Sequence, residues 1–320
     1  MKLVTFRVAG ASHAGVLMGD EIIDLAHSLL QPRFGNMAIS VDSLLAGGNQ
    51  SMGVVQRLLD ELSSGTGSLL IQLRERGALS TFAAAHLLSP LPRPTLILAG
   101  GRAYRTHLTE MQGSKTLMPE HPHAFLKNGN TVIGPGEAIR LPSQCPDMVD
   151  YEGEFSIVVG RWCHNVSPRE AKECIGGYTL INDVSARNWN LRAAGTPTDW
   201  EFVHMGKQLP TFCPMGPVMV TADEIPDPDN VRLLTRLNGK VMQDANTDDL
   251  VFPVAEMISY FSRWYPFAPG DVITTGTPSG VGFARTPRVF LAPGDVITVW
   301  SERIGELSNP VAAVSLISAP

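Results

Sequence analysis

Charge is sparse in this chain. Only 18% of its 320 residues are charged, and 25 Lys and Arg against 31 Asp and Glu leave a formal −6. No basic run and no interleaved aromatic track occurs, which argues against general affinity for nucleic acid. No apolar run approaches the roughly 18 residues a membrane span needs. Met1 to Gly10 lacks the uninterrupted apolar core of a signal peptide, because Lys2 and Arg7 break it. The four cysteines, Cys145, Cys163, Cys174 and Cys213, show neither C-x-x-C pairing nor metal-like spacing. They read as reduced, buried thiols of a cytoplasmic protein and not as a disulfide framework. What is abundant is turn chemistry: 30 Gly and 24 Pro point to a β-rich chain, and 44% hydrophobic residues suffice for a sizeable core.

Lys2 to Val8 reads as a strand and Val16 to Asp24 as a hairpin-like return. Ser51 to Leu62 has helical spacing, with Gly65 just past its end. Residues 1–88 carry no evident chemistry; His13, His27 and His86 are isolated and read as surface or satisfied core histidines. Ser89-Pro90-Leu91-Pro92-Arg93-Pro94 resists both helix and central strand, which sets a boundary between a small N-terminal α/β domain (1–88) and a larger domain (89–320). Further on, Pro168 to Cys174 reads as a helix starting from Ser167. Asn238-Gly239 marks a hairpin tip, and Val254 to Phe261 reads as an amphipathic helix. Pro269-Gly270-Asp271 and Pro293-Gly294-Asp295 repeat one turn chemistry ahead of β-branched strands.

The informative stretch runs from Asp150 to Arg187. Tyr151, Gly153 and Phe155 alternate with Glu152 and Glu154, so a strand places both glutamates on one face. Like charges side by side repel unless water or a cation separates them. A second apolar run, Tyr178 to Ile181, delivers Asp183 at a strand end. Three carboxylates brought together suit a hard cation, Mg²⁺ or Mn²⁺, with Ca²⁺ also admissible. Two plain alternatives stay open at this point. An edge strand with solvated glutamates needs no metal, and Asp183 can be the N-cap of a helix beginning at Val184.

Upstream, His107 and Glu110 lie three apart, so one helical turn puts them on the same face. A histidine polarised by a carboxylate makes a general base near neutral pH, although an incidental pair on a solvated face fits the spacing as well. His121-Pro122-His123 lacks a third nearby ligand and reads as a loop. Lys127 reads equally as a residue facing a ligand or as a surface lysine. Thr275 to Gly282 is glycine-rich but lacks the G-K-[ST] ending of a phosphate loop and the G-x-S-x-G order of a nucleophile elbow.

Together these stretches are similar to the signature blocks of the fumarylacetoacetate hydrolase family, in its order. They are D-Y-E-G-E-F, G-G-Y-T-L-I-N-D-V-S-A-R, M-G-K, C-P-M-G-P and T-G-T-P-S-G-V-G, with a sixth block, Arg102 to Glu110, upstream. The resemblance covers roughly residues 95 to 310 and implies an α+β fold whose larger domain is a rolled mixed sheet, and a homodimer. It implies a metal at Glu152, Glu154 and Asp183. It also implies catalytic roles for His107, Glu110 and Lys207, on a lid near residues 103–120, and substrate contacts from Arg102, Tyr104, Arg187 and Thr277. The activity implied is metal-dependent hydrolysis of a C–C bond in a 2,4-dioxo acid, of the acylpyruvate or fumarylpyruvate type, in aromatic catabolism. Decarboxylation of oxaloacetate and dienoate isomerisation or hydration share its enolate, and a catalytically silent binding protein is the rival of another class. The sequence departs from the family at Ala103, usually asparagine, at Asn188 and Asn190, often acid and glutamine, and at Gln208 and Pro210, more often serine and acid.

Overall fold

The computed structural model describes residues 1–35, 40–64, 68–113, 116–143, 145–188 and 202–313. Gly65, Asn190 and residues 114–115 of the expected lid therefore lie outside the described residues. Among the described residues, one large mixed sheet of twelve strands organises the fold. Its main path runs Leu79–Thr81, Glu21–Asp24, Ala11–Met18, Lys2–Val8, Cys213–Thr221, Ile175–Asn182, Gly153–Val159, Val272–Thr274, Ile97–Gly101 and His123–Lys127. Most neighbours are antiparallel; Val272–Thr274 runs parallel to Ile97–Gly101. A five-stranded sheet contains the hairpin Arg232–Leu237 and Lys240–Asn246, which turns at Asn238-Gly239 as the sequence predicts.

The expected boundary falls at the bends of residues 89–95, and the chain on its two sides shares both sheet and core. Lys2–Val8 pairs antiparallel with Cys213–Thr221, Leu3 opposite Met219. Leu44, Val55 and Leu58 of the N-terminal helices pack in one apolar cluster with Val158, Met219 and Val272. His13 is satisfied by Asp24 at 2.9 Å.

Gly153–Val159 is buried along its whole length, and period-2 alternation explains how. Phe155, Ile157 and Val159 face one cluster, with the helix Val254–Ser262 contributing Met257, Ile258 and Phe261. Val158 faces the other cluster, beneath the N-terminal helices. Phe155 also stacks on Tyr178, with ring centroids 5.0 Å apart. Each fully buried side chain of this size contributes about 1.5–3 kcal/mol. Burying an ion costs several kcal/mol, so an apolar strand on this scale is what allows Glu152 and Glu154 to sit in the interior.

Candidate active site

Two elements bring the acidic groups together. Glu152 and Glu154 leave the same face of the strand that starts at Gly153, and Asp183 follows the end of Ile175–Asn182, the antiparallel neighbour. The Asp183 N–H donates to the Glu152 carbonyl at 2.8 Å, which locks the two strand ends in register. Glu152, Glu154 and Asp183 are all buried, with one carboxylate oxygen from each within 4.8 Å of the others. The solvated edge strand is thereby excluded. So is the helix capped by Asp183, because Ser185–Ala186 is a short strand paired with Val149–Asp150.

Three buried cations surround the carboxylates. Lys207 Nζ donates to Glu152 Oε2 and Asp183 Oδ2, both at 2.5 Å, and to Ser185 Oγ at 2.8 Å. Lys127 Nζ donates to Asp183 Oδ1 at 2.6 Å and to the Lys207 carbonyl at 2.7 Å. Arg187 donates to Asp150 at 3.0 Å and to Glu152 Oε1 at 2.5 Å. Burial works against the Glu152 carboxylate, but Lys207 and Arg187 outweigh it and hold Glu152 down at about 2. Burial would lower Lys207, but Asp183 and Glu152 win and raise it above lysine's ordinary value. Glu154 is the odd member: burial, then the charge of Asp183, pushes it well above the usual carboxylate range. Its Oε2 is buried without a hydrogen-bond partner.

That orphaned oxygen tests the fit of a divalent cation. The set offers three hard oxygen donors at metal-binding separation, and Glu154 Oε2, the oxygen that lacks a partner, is one a cation would satisfy. The residues fit Mg²⁺ or Mn²⁺.

Glu152, Glu154, Arg187 and Lys207 line a cavity of about 620 Å³ that the helix Arg105–Gln112 borders. His107, Leu108 and Met111 of that helix line it together with Glu152, Glu154 and Lys207. His107 Nδ1 lies 3.2 Å from Glu110 Oε2, as the i,i+3 spacing predicts. Glu110 is held in turn: its Oε1 accepts from the Gly280 N–H at 2.9 Å. Gly280 has φ +103°, and a Cβ there would run into the Met242 carbonyl, so glycine is required at this latch. The helix is tied down further by Arg105 on the Leu250 carbonyl at 2.5 Å and by Thr106 on Asp249.

The predicted substrate contacts divide. Arg102, Arg187 and Thr277 line the cavity. The Arg187 guanidinium is engaged by Asp150 and Glu152, which makes it a support for the carboxylates in this conformation. The Thr277 hydroxyl gives its proton to the Gly153 carbonyl at 3.1 Å and accepts from Gln243 at 2.8 Å. It is therefore not the ready donor the resemblance implies. Tyr104 needs correction outright. It is fully buried in the core, its hydroxyl 3.3 Å from Thr275 Oγ1, and it does not line the cavity. Its backbone bridges to Leu250.

Sequence reasoning left three supports unassigned. Lys127 is a buried partner of Asp183 and not a surface lysine. Asp150 accepts from the N–H groups of Gly282 and Phe283 at 2.8 and 2.9 Å, as well as from Arg187, and anchors the glycine-rich loop. Gln208, in the departing position, clamps the strand of Lys127 by accepting from the Asn128 N–H and donating to the Leu126 carbonyl.

Residues 96–312 match the family model described as fumarylacetoacetate (FAA) hydrolase C-terminal. The chain is 38% identical over 224 residues to oxaloacetate tautomerase YisK of Bacillus subtilis (strain 168), covering 70% of this chain and 72% of that one. Among solved structures it resembles fumarylacetoacetate hydrolase from psychrophilic Exiguobacterium antarcticum (TM-score 0.77, 30% identity, 98% of this chain and 100% of that one). It also resembles maleylpyruvate hydrolase from Sphingobium sp. SYK-6 in complex with manganese(II) ion and pyruvate (TM-score 0.72, 26% identity, 98% and 100%). With buried carboxylates, latched dyad and glycine-rich loop in the order of the signature blocks, the chain belongs to the fumarylacetoacetate hydrolase family.

Proposed function

We propose that the chain is a divalent-metal-dependent enzyme acting on a small 2-oxo acid, and that its reaction is hydrolytic cleavage of a C–C bond in a 2,4-dioxo acid. One observation carries this reading: His107, paired with Glu110, lines the same cavity as Glu152 and Glu154 of the buried carboxylate triad. A cation bound at Glu152, Glu154 and Asp183 would supply Lewis acidity to the 2-oxo acid group. Glu110 keeps the His107 Nδ1 proton in place, leaving Nε2 to take a proton from water aimed at the distal carbonyl. Bond cleavage releases the 2-oxo acid portion as an enolate, whose charge the Lys207 ammonium faces from the cavity wall. His107, protonated in the first step, is then the acid that can return a proton to carbon.

A second reading, tautomerisation of oxaloacetate, is favoured by the name of the Bacillus subtilis relative. It uses the same enolate and the same histidine, without water as nucleophile. Turnover of acylpyruvates and of oxaloacetate, with Mn²⁺ or Mg²⁺ and with chelator, separates the two. Metal-dependent cleavage of an acylpyruvate supports the first reading. Metal-dependent enol–keto exchange of oxaloacetate without acylpyruvate cleavage replaces it with the second. Tight metal-dependent binding with no turnover of either would make the chain a ligand-binding protein.

A further inference from the structure

The carboxylate strand has a gap in its ladder. Val272–Thr274 pairs with it only from Ser156 to Val158, so on that side Gly153 to Phe155 need other partners. Thr275 supplies one, donating its N–H to the Phe155 carbonyl at 3.0 Å. Gly153, the residue between Glu152 and Glu154, is held by side chains instead. Its N–H donates to Gln243 Oε1 at 3.0 Å, and its carbonyl accepts from Thr277 Oγ1 at 3.1 Å. Gln243 Nε2 closes the ring of bonds by donating to Thr277 Oγ1 at 2.8 Å and to the Pro278 carbonyl at 2.9 Å. One buried carboxamide thus continues the ladder where the neighbouring strand ends, and ties it to the glycine-rich loop.

Gln243 reaches the site from the other sheet. It stands on Lys240–Asn246, directly across from Thr235, and both side chains face Gly153. A Cβ at Gly153 would run into Thr235 Oγ1, so glycine lets the second sheet approach this closely. The facing pair differs in what it holds. Among the described residues, Thr235 Oγ1 has no hydrogen-bond partner, whereas Gln243 uses both polar atoms of its carboxamide. With no side chain of its own to pack, Gly153 relies on its backbone bonds for its place.

We infer that Gln243 is a positioning residue for the metal carboxylates. It does not line the cavity; it acts through the Gly153 backbone, from which Glu152 and Glu154 project on either side. This rests on the proposed function, in which those carboxylates hold a divalent cation.

The test is Mn²⁺ binding by calorimetry, with the electron paramagnetic resonance spectrum of the bound ion, both recorded well below the melting temperature. Gln243→Met fills the volume and removes the bonds to Gly153, Thr277 and Pro278. Gln243→Asn keeps a carboxamide on a shorter stem that does not reach all of them. Thr235→Val removes only the hydroxyl that bonds nothing. Both Gln243 variants should bind Mn²⁺ about 10-fold more weakly, the lower end of the range for groups that orient metal ligands, and their Mn²⁺ spectra should change. Thr235→Val should match the wild type in affinity and spectrum. Should Gln243→Met fail to fold, Gln243→Asn decides. Wild-type affinity and spectrum in the folded Gln243 variants overturn the positioning role while the metal site stands, even where the melting temperature falls. An equal loss in Thr235→Val overturns the assignment to Gln243, since any change on that face would then disturb the site. A wild type that binds no Mn²⁺ ends the functional reading, and the positioning role with it.

Discussion

Replacing Lys127 by Met should expose how far the site depends on charge balance. The Lys127 side chain is completely buried and has two partners, Asp183 at 2.6 Å and the Lys207 carbonyl at 2.7 Å. Met fills the volume without the charge. Removing one member of a buried pair costs about 3–5 kcal/mol, because the remaining ion stays buried without its partner. Asp183 keeps Lys207, which places the loss toward the lower end. At roughly 2 °C per kcal/mol for a chain of this size, Lys127→Met should melt about 6–8 °C below the wild type in the metal-free protein. Mn²⁺ in excess should narrow the gap, since a cation beside Asp183 supplies the missing charge. The assay is thermal unfolding followed by circular dichroism, with and without Mn²⁺. A melting temperature within a degree of wild type would refute the reasoning and mean that Lys127 does not compensate Asp183.

Two further outcomes follow from the same geometry. His107→Ala should lower acylpyruvate cleavage by roughly 10²–10⁴-fold, the range for a lost general base, and impair oxaloacetate decarboxylation far less, whereas Lys207→Ala should impair both. Steady-state kinetics on both substrates checks this, and equal losses for His107→Ala would end the water-activation role. In the metal-free protein, the Glu152 carboxylate lies at about 2, below its ordinary 4.5, so its contribution is fully present above pH 4.5 and lost as pH falls toward 2. That contribution is about 3 kcal/mol, and the stability difference between wild type and Glu152→Gln should shrink steadily over that window in urea titrations. A difference constant with pH would mean that Glu152 is not held by Lys207 and Arg187.

Much of the fold was legible in the sequence. The first strand, the helix after Ser167, the helix from Val254 and the Asn238-Gly239 hairpin rest on local signals, and each formed where those signals lie. The pairing of Glu152 with Glu154 was legible because strand period is local, and the His107–Glu110 pair because helical period is. What was not legible is long-range. Lys127 meets Asp183 across 56 positions, and Asp150 meets the Gly282 N–H across 132, and no spacing rule connects such residues. Tyr104 shows the opposite failure. It sits between Arg102 and His107 in a stretch that looks like substrate machinery, yet its backbone bridges to Leu250 and its ring is buried in the core. A motif places residues in sequence; the sheet decides which of them face the cavity.

The central claim is that Glu152, Glu154 and Asp183 hold a divalent cation, and Mn²⁺ binding followed by electron paramagnetic resonance tests it most directly. The wild type should bind one Mn²⁺ per chain, and Glu154→Gln and Asp183→Asn should each weaken it strongly, since each removes both a charge and a ligand oxygen. Unchanged affinity in both variants would contradict the account and place the metal, if the protein binds one, elsewhere.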